Sequence, residues 1–151
     1  MADHGATIEW RDDGAGFTTG RYSRAHTWVF DGGAQVVASS SPHNVPLPFS
    51  DAGAVDPEEA FVAAIASCHM LWFLGLAAAK KIAVTGYTDH AVGTQETGAD
   101  GKAWISVVRL RPEITFAGEV APDVVAALHD AAHERCFIAN SVKTEIIVEQ
   151  V

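Results

Sequence analysis

Two cysteines, Cys68 and Cys136, stand in a chain of 151 residues, and no Cys-x-x-Cys motif joins them. Taken singly, each reads as a small buried hydrophobe. Taken together, they meet one demand of dithiol peroxidase chemistry, in which one thiolate attacks a peroxide and a second thiol captures the sulfenic acid before further oxidation. Such chemistry also needs a cation to hold the first sulfur as thiolate. Arginine suits this because it stays protonated and its planar fork can hold peroxide oxygens. A carboxylate can then orient the arginine. The chain offers Arg21 and Arg24 in an early segment, and Glu58 and Glu59 at the start of a long apolar stretch.

A competing chemistry rests on His129, His133 and Cys136, whose i, i+4, i+7 spacing places them along one helix face. With Cys68 or His69 brought close by folding, four nitrogen and sulfur ligands for zinc are conceivable. The plain alternative is a half-buried helix face with ordinary hydrogen bonds.

The elements that must position these residues follow from local signals. Three strands are expected at 6–10, 20–30 and 34–39, with Asp12-Asp13-Gly14 and Asp31-Gly32-Gly33 as the turns between them. Residues 40–55 carry three prolines and a glycine and read as an irregular loop. Asp56 is a good N-cap, Pro57 fits the first helical position, and Glu59 completes a capping box. The helix so opened runs through Cys68 to about Lys80, with small residues on several faces, as if enclosed nearly all round. Three strands are too little cover for it, which points to a second subunit. Two long strands at 82–96 and 102–116 meet at the turn Gly98-Ala99-Asp100-Gly101. A second helix opens at Pro122 and ends near Arg135 or Cys136, and residues 141–148 close the chain as a strand. The order is α+β, without serial βαβ units or a glycine-rich dinucleotide fingerprint.

Composition narrows the partners. Apolar residues make up 48% of the chain and charged residues 19%, a globular balance with no linker or repeat to divide a single domain over residues 1–151. A formal net charge of −9 argues against nucleic acid and against an anionic membrane surface. The apolar stretch 60–79 is long enough to span a bilayer but contains Ser67, Cys68, His69 and Gly75, and reads as a core helix. The first residues lack the basic stretch and apolar core of a secretory signal, so the cytoplasm is expected, where thiols stay reduced.

Two segments resemble the OsmC/Ohr family (osmotically inducible protein C and organic hydroperoxide resistance proteins). Asp56-Pro57-Glu58-Glu59 and the small-residue helix up to Cys68 resemble the family's first motif, which leads to its peroxidatic cysteine. Ala132-His133-Glu134-Arg135-Cys136-Phe137-Ile138-Ala139-Asn140 is similar to the second, which holds the resolving cysteine. The resemblance implies an α+β OsmC-like fold with antiparallel-rich sheets, a long central helix and an intertwined homodimer. It implies attack by Cys68, resolution by Cys136, and a catalytic arginine oriented by Glu58. It further implies hydroperoxide as substrate, a lipoyl-type or small thiol as reductant, and no metal, haem or flavin.

Several departures place the chain in a separate branch. Asp56 stands where the family has Asn, and Phe137-Ile138-Ala139 replaces a Cys-Pro-x-Ser context. Gly20-Arg21-Tyr22-Ser23-Arg24 only loosely resembles the segment of the catalytic arginine. Arg21 and Arg24 both remain candidates, and on a strand they would face opposite sides. Arg24 is preferred, since Arg21 follows a glycine at the expected strand start. If Glu58 and Cys68 share one helix, they lie about 15 Å apart along it and about 80° short of alignment. If Glu58 orients the catalytic arginine, as the resemblance implies, that arginine–carboxylate pair is expected to reach Cys68 across a dimer interface; the alternative is a helix that starts later and leaves Glu58 on a loop that folds back. A third reading is a binding protein that kept the fold and lost the activity.

Overall fold

Asp56 and Glu59 close the start of the long helix reciprocally. The Asp56 carboxylate accepts the Glu59 amide at 2.7 Å, and the Glu59 carboxylate accepts the Asp56 amide at 3.2 Å. The helix, α1, spans Pro57–Ala79 without a break. It ends in a Schellman arrangement although no glycine is present. Lys81 takes a left-handed φ of 59°, and the amides of Lys81 and Ile82 return to the carbonyls of Ala78 and Ala77, each at 2.9 Å.

The computed structural model describes residues 1–14 and 16–149; Ala15, Gln150 and Val151 lie outside the described residues. The chain forms two units, Met1–Ala60 and Phe61–Val151. In the first, β1 (Ala6–Glu9), β2 (His26–Phe30) and β3 (Gln35–Ala38) make an antiparallel sheet in that order. The expected turn at Asp31-Gly32-Gly33 is present, with Gly33 at φ 87° and the Phe30 amide bonded to the Ala34 carbonyl at 2.9 Å. The strand expected from Gly20 begins only at His26. Gly20 is left-handed at φ 75°, and the Arg24 amide leaves the ladder for the Phe49 carbonyl at 2.9 Å. Arg21 and Arg24 therefore sit on a loop, and strand alternation does not govern them. The segment 40–55 is irregular, as expected, and is pinned by Ser39 and Val37 bonding Val55 at 3.0 and 3.1 Å.

The second unit holds β4 (Val84–Asp89), β5 (Val92–Thr97), β6 (Ala103–Leu110), β7 (Pro112–Phe116), α2 (Pro122–Arg135) and β8 (Glu145–Val148). The two long strands expected here are each split. β4 pairs with β7 in one sheet, while β5, β6 and β8 form another. The split has a local cause: Pro112 has no N–H to continue the ladder, and the Arg111 amide turns to the Asp89 carboxylate at 2.7 Å. β8 runs parallel to β6 and is shorter than expected, because Ala139–Ser141 form a 3₁₀ turn.

Within this unit α1 spans two apolar clusters. Its C-terminal half packs Phe73 and Ala77 on Leu128 and Ala132 of α2, backed by β4 and β7. Its N-terminal half packs Ile65 on Val108 and Leu110, with Phe61, Val62 and β8 around them. Side chains the size of Phe73 or Ile65 each contribute about 1.5–3 kcal/mol on full burial. Close approach of α1 to β5 depends on Gly93, where a Cβ would stand 2.6 Å from a Val62 methyl.

The expectation that α1 is enclosed all round does not hold within one chain. Only the stripe Ile65, His69, Phe73 and Ala77 is buried, while Ala63, Ala64, Ser67, Leu71, Gly75 and Ala78 are exposed. By length and composition α1 could cross a membrane. Its middle nevertheless carries polar bonds to α2, described next, which is the chemistry of a core helix.

Candidate active site

Cys68 lies halfway along α1 and is half-buried, directly before His69 of the buried stripe. Cys136 caps the C-terminus of α2 in an extended conformation and is 1% exposed. The chain then folds back over it. The Ala139 amide donates to the Cys136 sulfur at 3.4 Å, and the Asn140 amide donates to the Cys136 carbonyl at 3.0 Å. The Asn140 side chain reaches back to the Glu134 carbonyl at 3.0 Å and ties the turn to the helix.

The two sulfurs are brought together, and they are unequal. Burial pushes the Cys136 thiol up to about 11, and a hydrogen bond to Cys68 adds to the rise; the amides of Ala139 and Ile138 oppose it. The arrangement provides one accessible sulfur and one buried, protonated sulfur already in contact with it.

An aromatic pair flanks the thiols. Trp72, one turn beyond Cys68 on α1, meets the Phe137 ring edge-on at 5.6 Å, and the Arg135 guanidinium lies 6.0 Å from the Trp72 ring. Phe137 is 70% exposed. Phe61 and Phe73 belong to the two core clusters.

The other expected site residues lie in the unit Met1–Ala60. The Arg24 guanidinium donates to the carbonyls of Gly20 and Tyr22 and covers the Tyr22 ring at 3.7 Å. It has no carboxylate partner among the described residues. Arg21 is exposed, 6.0 Å from the Phe49 ring. Glu58 accepts the Asn44 amide on Oε1 at 3.1 Å, and its Oε2 is buried without a partner.

The zinc arrangement does not assemble. His129 and Cys136 face inward while His133 is exposed, and no three His, Cys, Asp or Glu side chains converge on a metal position among the described residues. His129 bonds His69 instead, with Nδ1 and Nε2 2.9 Å apart. Sequence reasoning missed this pair because only spacing within a helix is visible in one dimension, and these residues stand on different helices.

Fold and site together define an α+β protein whose two unequal thiols meet between two helices. The chain belongs to the OsmC-like protein family, whose model matches residues 50–150. It is similar to the solved structure of an OsmC-like protein of unknown function from Vibrio cholerae, with a TM-score of 0.96, 49% identity and full coverage, 100%, of both chains. An OsmC-like protein from Mycoplasma pneumoniae shares the fold at TM-score 0.75 and 18% identity, covering 99% of this chain and 96% of its own. An organic hydroperoxide resistance protein from Bacillus subtilis does so at 0.68 and 17%, covering 99% and 98%. None of the curated proteins matches the chain.

Proposed function

We propose that this chain is a cofactor-free cysteine peroxidase that reduces organic hydroperoxides, acting as one OsmC-like domain in a cytoplasmic homodimer. The observation that carries the reading is the closeness of a half-buried Cys68 to a buried Cys136 thiol whose titration it influences. That is the starting arrangement for attack by one sulfur and capture by the other. Proteins of the same fold bear the name organic hydroperoxide resistance protein.

In the first step the Cys68 thiolate attacks the terminal peroxide oxygen. The O–O bond breaks, the organic alkoxide leaves as alcohol after taking a proton, and Cys68 becomes a sulfenic acid. In the second, the Cys136 sulfur attacks Cys68; the S–O bond breaks, and water leaves carrying the Cys136 proton. An external dithiol, of the lipoyl or small-thiol class, then reduces the disulfide and is itself oxidised. Arg24, or failing that Arg21, holds the thiolate and the peroxide, and Glu58 orients it. The unpartnered buried oxygen of Glu58 supports this role, since it asks for a donor. The aromatic edge formed by Trp72 and Phe137 favours an organic peroxide over hydrogen peroxide.

The homodimer reading draws on the exposed, apolar outer face of α1, where Leu71 is 63% exposed. The test of the whole proposal is peroxide consumption with dihydrolipoamide, comparing tert-butyl hydroperoxide and hydrogen peroxide. Wild type is expected to turn over the organic peroxide faster, and Cys68→Ser to be inert. Consumption that survives Cys68→Ser overturns it.

A further inference from the structure

His69 and His129 form a buried polar pair beside the thiols but apart from them. Their Nε2 and Nδ1 atoms are 2.9 Å apart, and the rings lie nearly parallel, edge to edge, with 5.2 Å between centroids and 7° between planes. They are 1% and 3% exposed, and Phe73 packs on His129 at 4.5 Å. The pair is neutral: burial pulls His69 down to about 4, with His129 and His133 adding to the fall, and burial also lowers His129. One ring therefore donates and the other accepts. His69 Nδ1 is buried with no partner. An unmet lone pair costs less than an unmet N–H, which favours His69 Nε2 as the donor.

Two leucines at these positions would fill the space and leave no polar atom unsatisfied. A half-satisfied polar pair gives up stability, and what it contributes in return is direction. The position of the pair says what is directed. His69 follows Cys68 on α1, and His129 lies seven residues before Cys136, on the same face of α2. The apolar contacts between these helices, Phe73 and Ala77 on Leu128 and Ala132, are non-directional and tolerate sliding. A hydrogen bond between two ring nitrogens does not.

We propose that the His69–His129 bond is a positioning device that fixes the rotation and register of α2 on α1 and so keeps Cys136 aimed at Cys68. Its consequence for turnover rests on the peroxidase reading. Disulfide formation must shorten a thiol contact to about 2.05 Å. If α2 slips, the sulfenic acid at Cys68 waits, and waiting exposes it to a second peroxide and to sulfinic acid.

The test uses the full chain and needs no peroxide: the equilibrium of the Cys68–Cys136 disulfide against reduced and oxidised glutathione. His69→Leu and His129→Leu are expected to lower the constant about tenfold, as loss of a buried directional bond lowers effective concentration. The double variant His69→Gln with His129→Asn puts amides where Nε2 and Nδ1 stood, and most of the loss should be recovered. If the leucine variants fail to fold, His129→Asn against His129→Gln decides. Asn keeps a polar atom at the Nδ1 position and retains the constant, whereas Gln moves it away and loses the constant. Folded leucine variants with a wild-type constant, or equal behaviour of Asn and Gln, overturn the proposal. Under peroxide, the leucine variants should consume the first equivalent normally and then accumulate sulfinic acid at Cys68. A wild type inert to peroxide whose variants still follow the glutathione pattern would leave the positioning role standing and remove the peroxidase reading.

Discussion

Cys136 is buried beside the half-buried Cys68, and the burial that pushes the Cys136 thiol up also leaves Cys68 the reachable partner. Reactivity should divide the same way. In reduced protein near neutral pH, an alkylating probe should label Cys68 first and reach Cys136 only on unfolding. After one equivalent of organic hydroperoxide, wild type should hold an intrachain disulfide and no free thiol. Cys136→Ser should consume that equivalent and stop at a trappable sulfenic acid. Two free thiols after peroxide loss would remove the resolving role of Cys136, and a disulfide-linked dimer on a non-reducing gel would place the bond between chains.

The two arginines make a second comparison. Arg24 is held against Tyr22 and two carbonyls with no carboxylate partner among the described residues, while Arg21 is exposed. A pre-oriented guanidinium serving charge at the reacting sulfur is worth roughly 100-fold in rate. Arg24→Ala should lose about that much in peroxide consumption, and Arg21→Ala less than about tenfold. A larger loss from Arg21→Ala reverses the assignment and leaves the cysteine chemistry intact.

His69 gives stability a pH dependence of definite sign. Its folded value lies near 4 and its ordinary value is 6.5, so between these limits the unfolded chain binds a proton that the folded chain refuses. Stability is therefore complete above pH 6.5 and falls on acidification toward 4, by at most about 3 kcal/mol. Burial of His129 adds a loss of the same sign. Urea midpoints at pH 7 and 4.5 measure it, and His69→Leu should shrink the difference. An unchanged difference would mean that the acid loss arises elsewhere.

Glu58 and Cys68 belong to one unbroken helix, which spans Pro57–Ala79, and this removes the alternative of a helix that starts later. On the proposed reading, the arginine–carboxylate pair serving a given Cys68 comes from the partner chain. Exchange of Glu58→Ala with Cys68→Ser subunits should then restore activity at one of the two sites in each heterodimer. Activity per heterodimer should approach half that of wild type. Proven heterodimers without recovery would mean that each chain builds its own site.

Much of this protein is readable in one dimension because the forces concerned act over a few residues. Asp56, Pro57 and Glu59 announce α1 by satisfying amides three residues apart, and Pro122 opens α2 for the same kind of reason. Gly33 marks its turn through a left-handed φ that costs glycine nothing. The candidate cysteines and Glu58 are found by motif, since each motif lies within a single local element.

The remaining features were decided by partners distant in sequence. The strand expected at Arg21 and Arg24 gives way to a loop because the Arg24 amide finds Phe49 and its guanidinium finds nearby carbonyls. Two long strands break at Pro112 because the Asp89 carboxylate offers the Arg111 amide an alternative to the ladder. His69 and His129, sixty residues apart, carry no mutual signal until two helices cross. The inequality of the two thiols has the same origin. Sequence supplies identical sulfur chemistry at positions 68 and 136, and only tertiary packing strips water from one and leaves the other within reach.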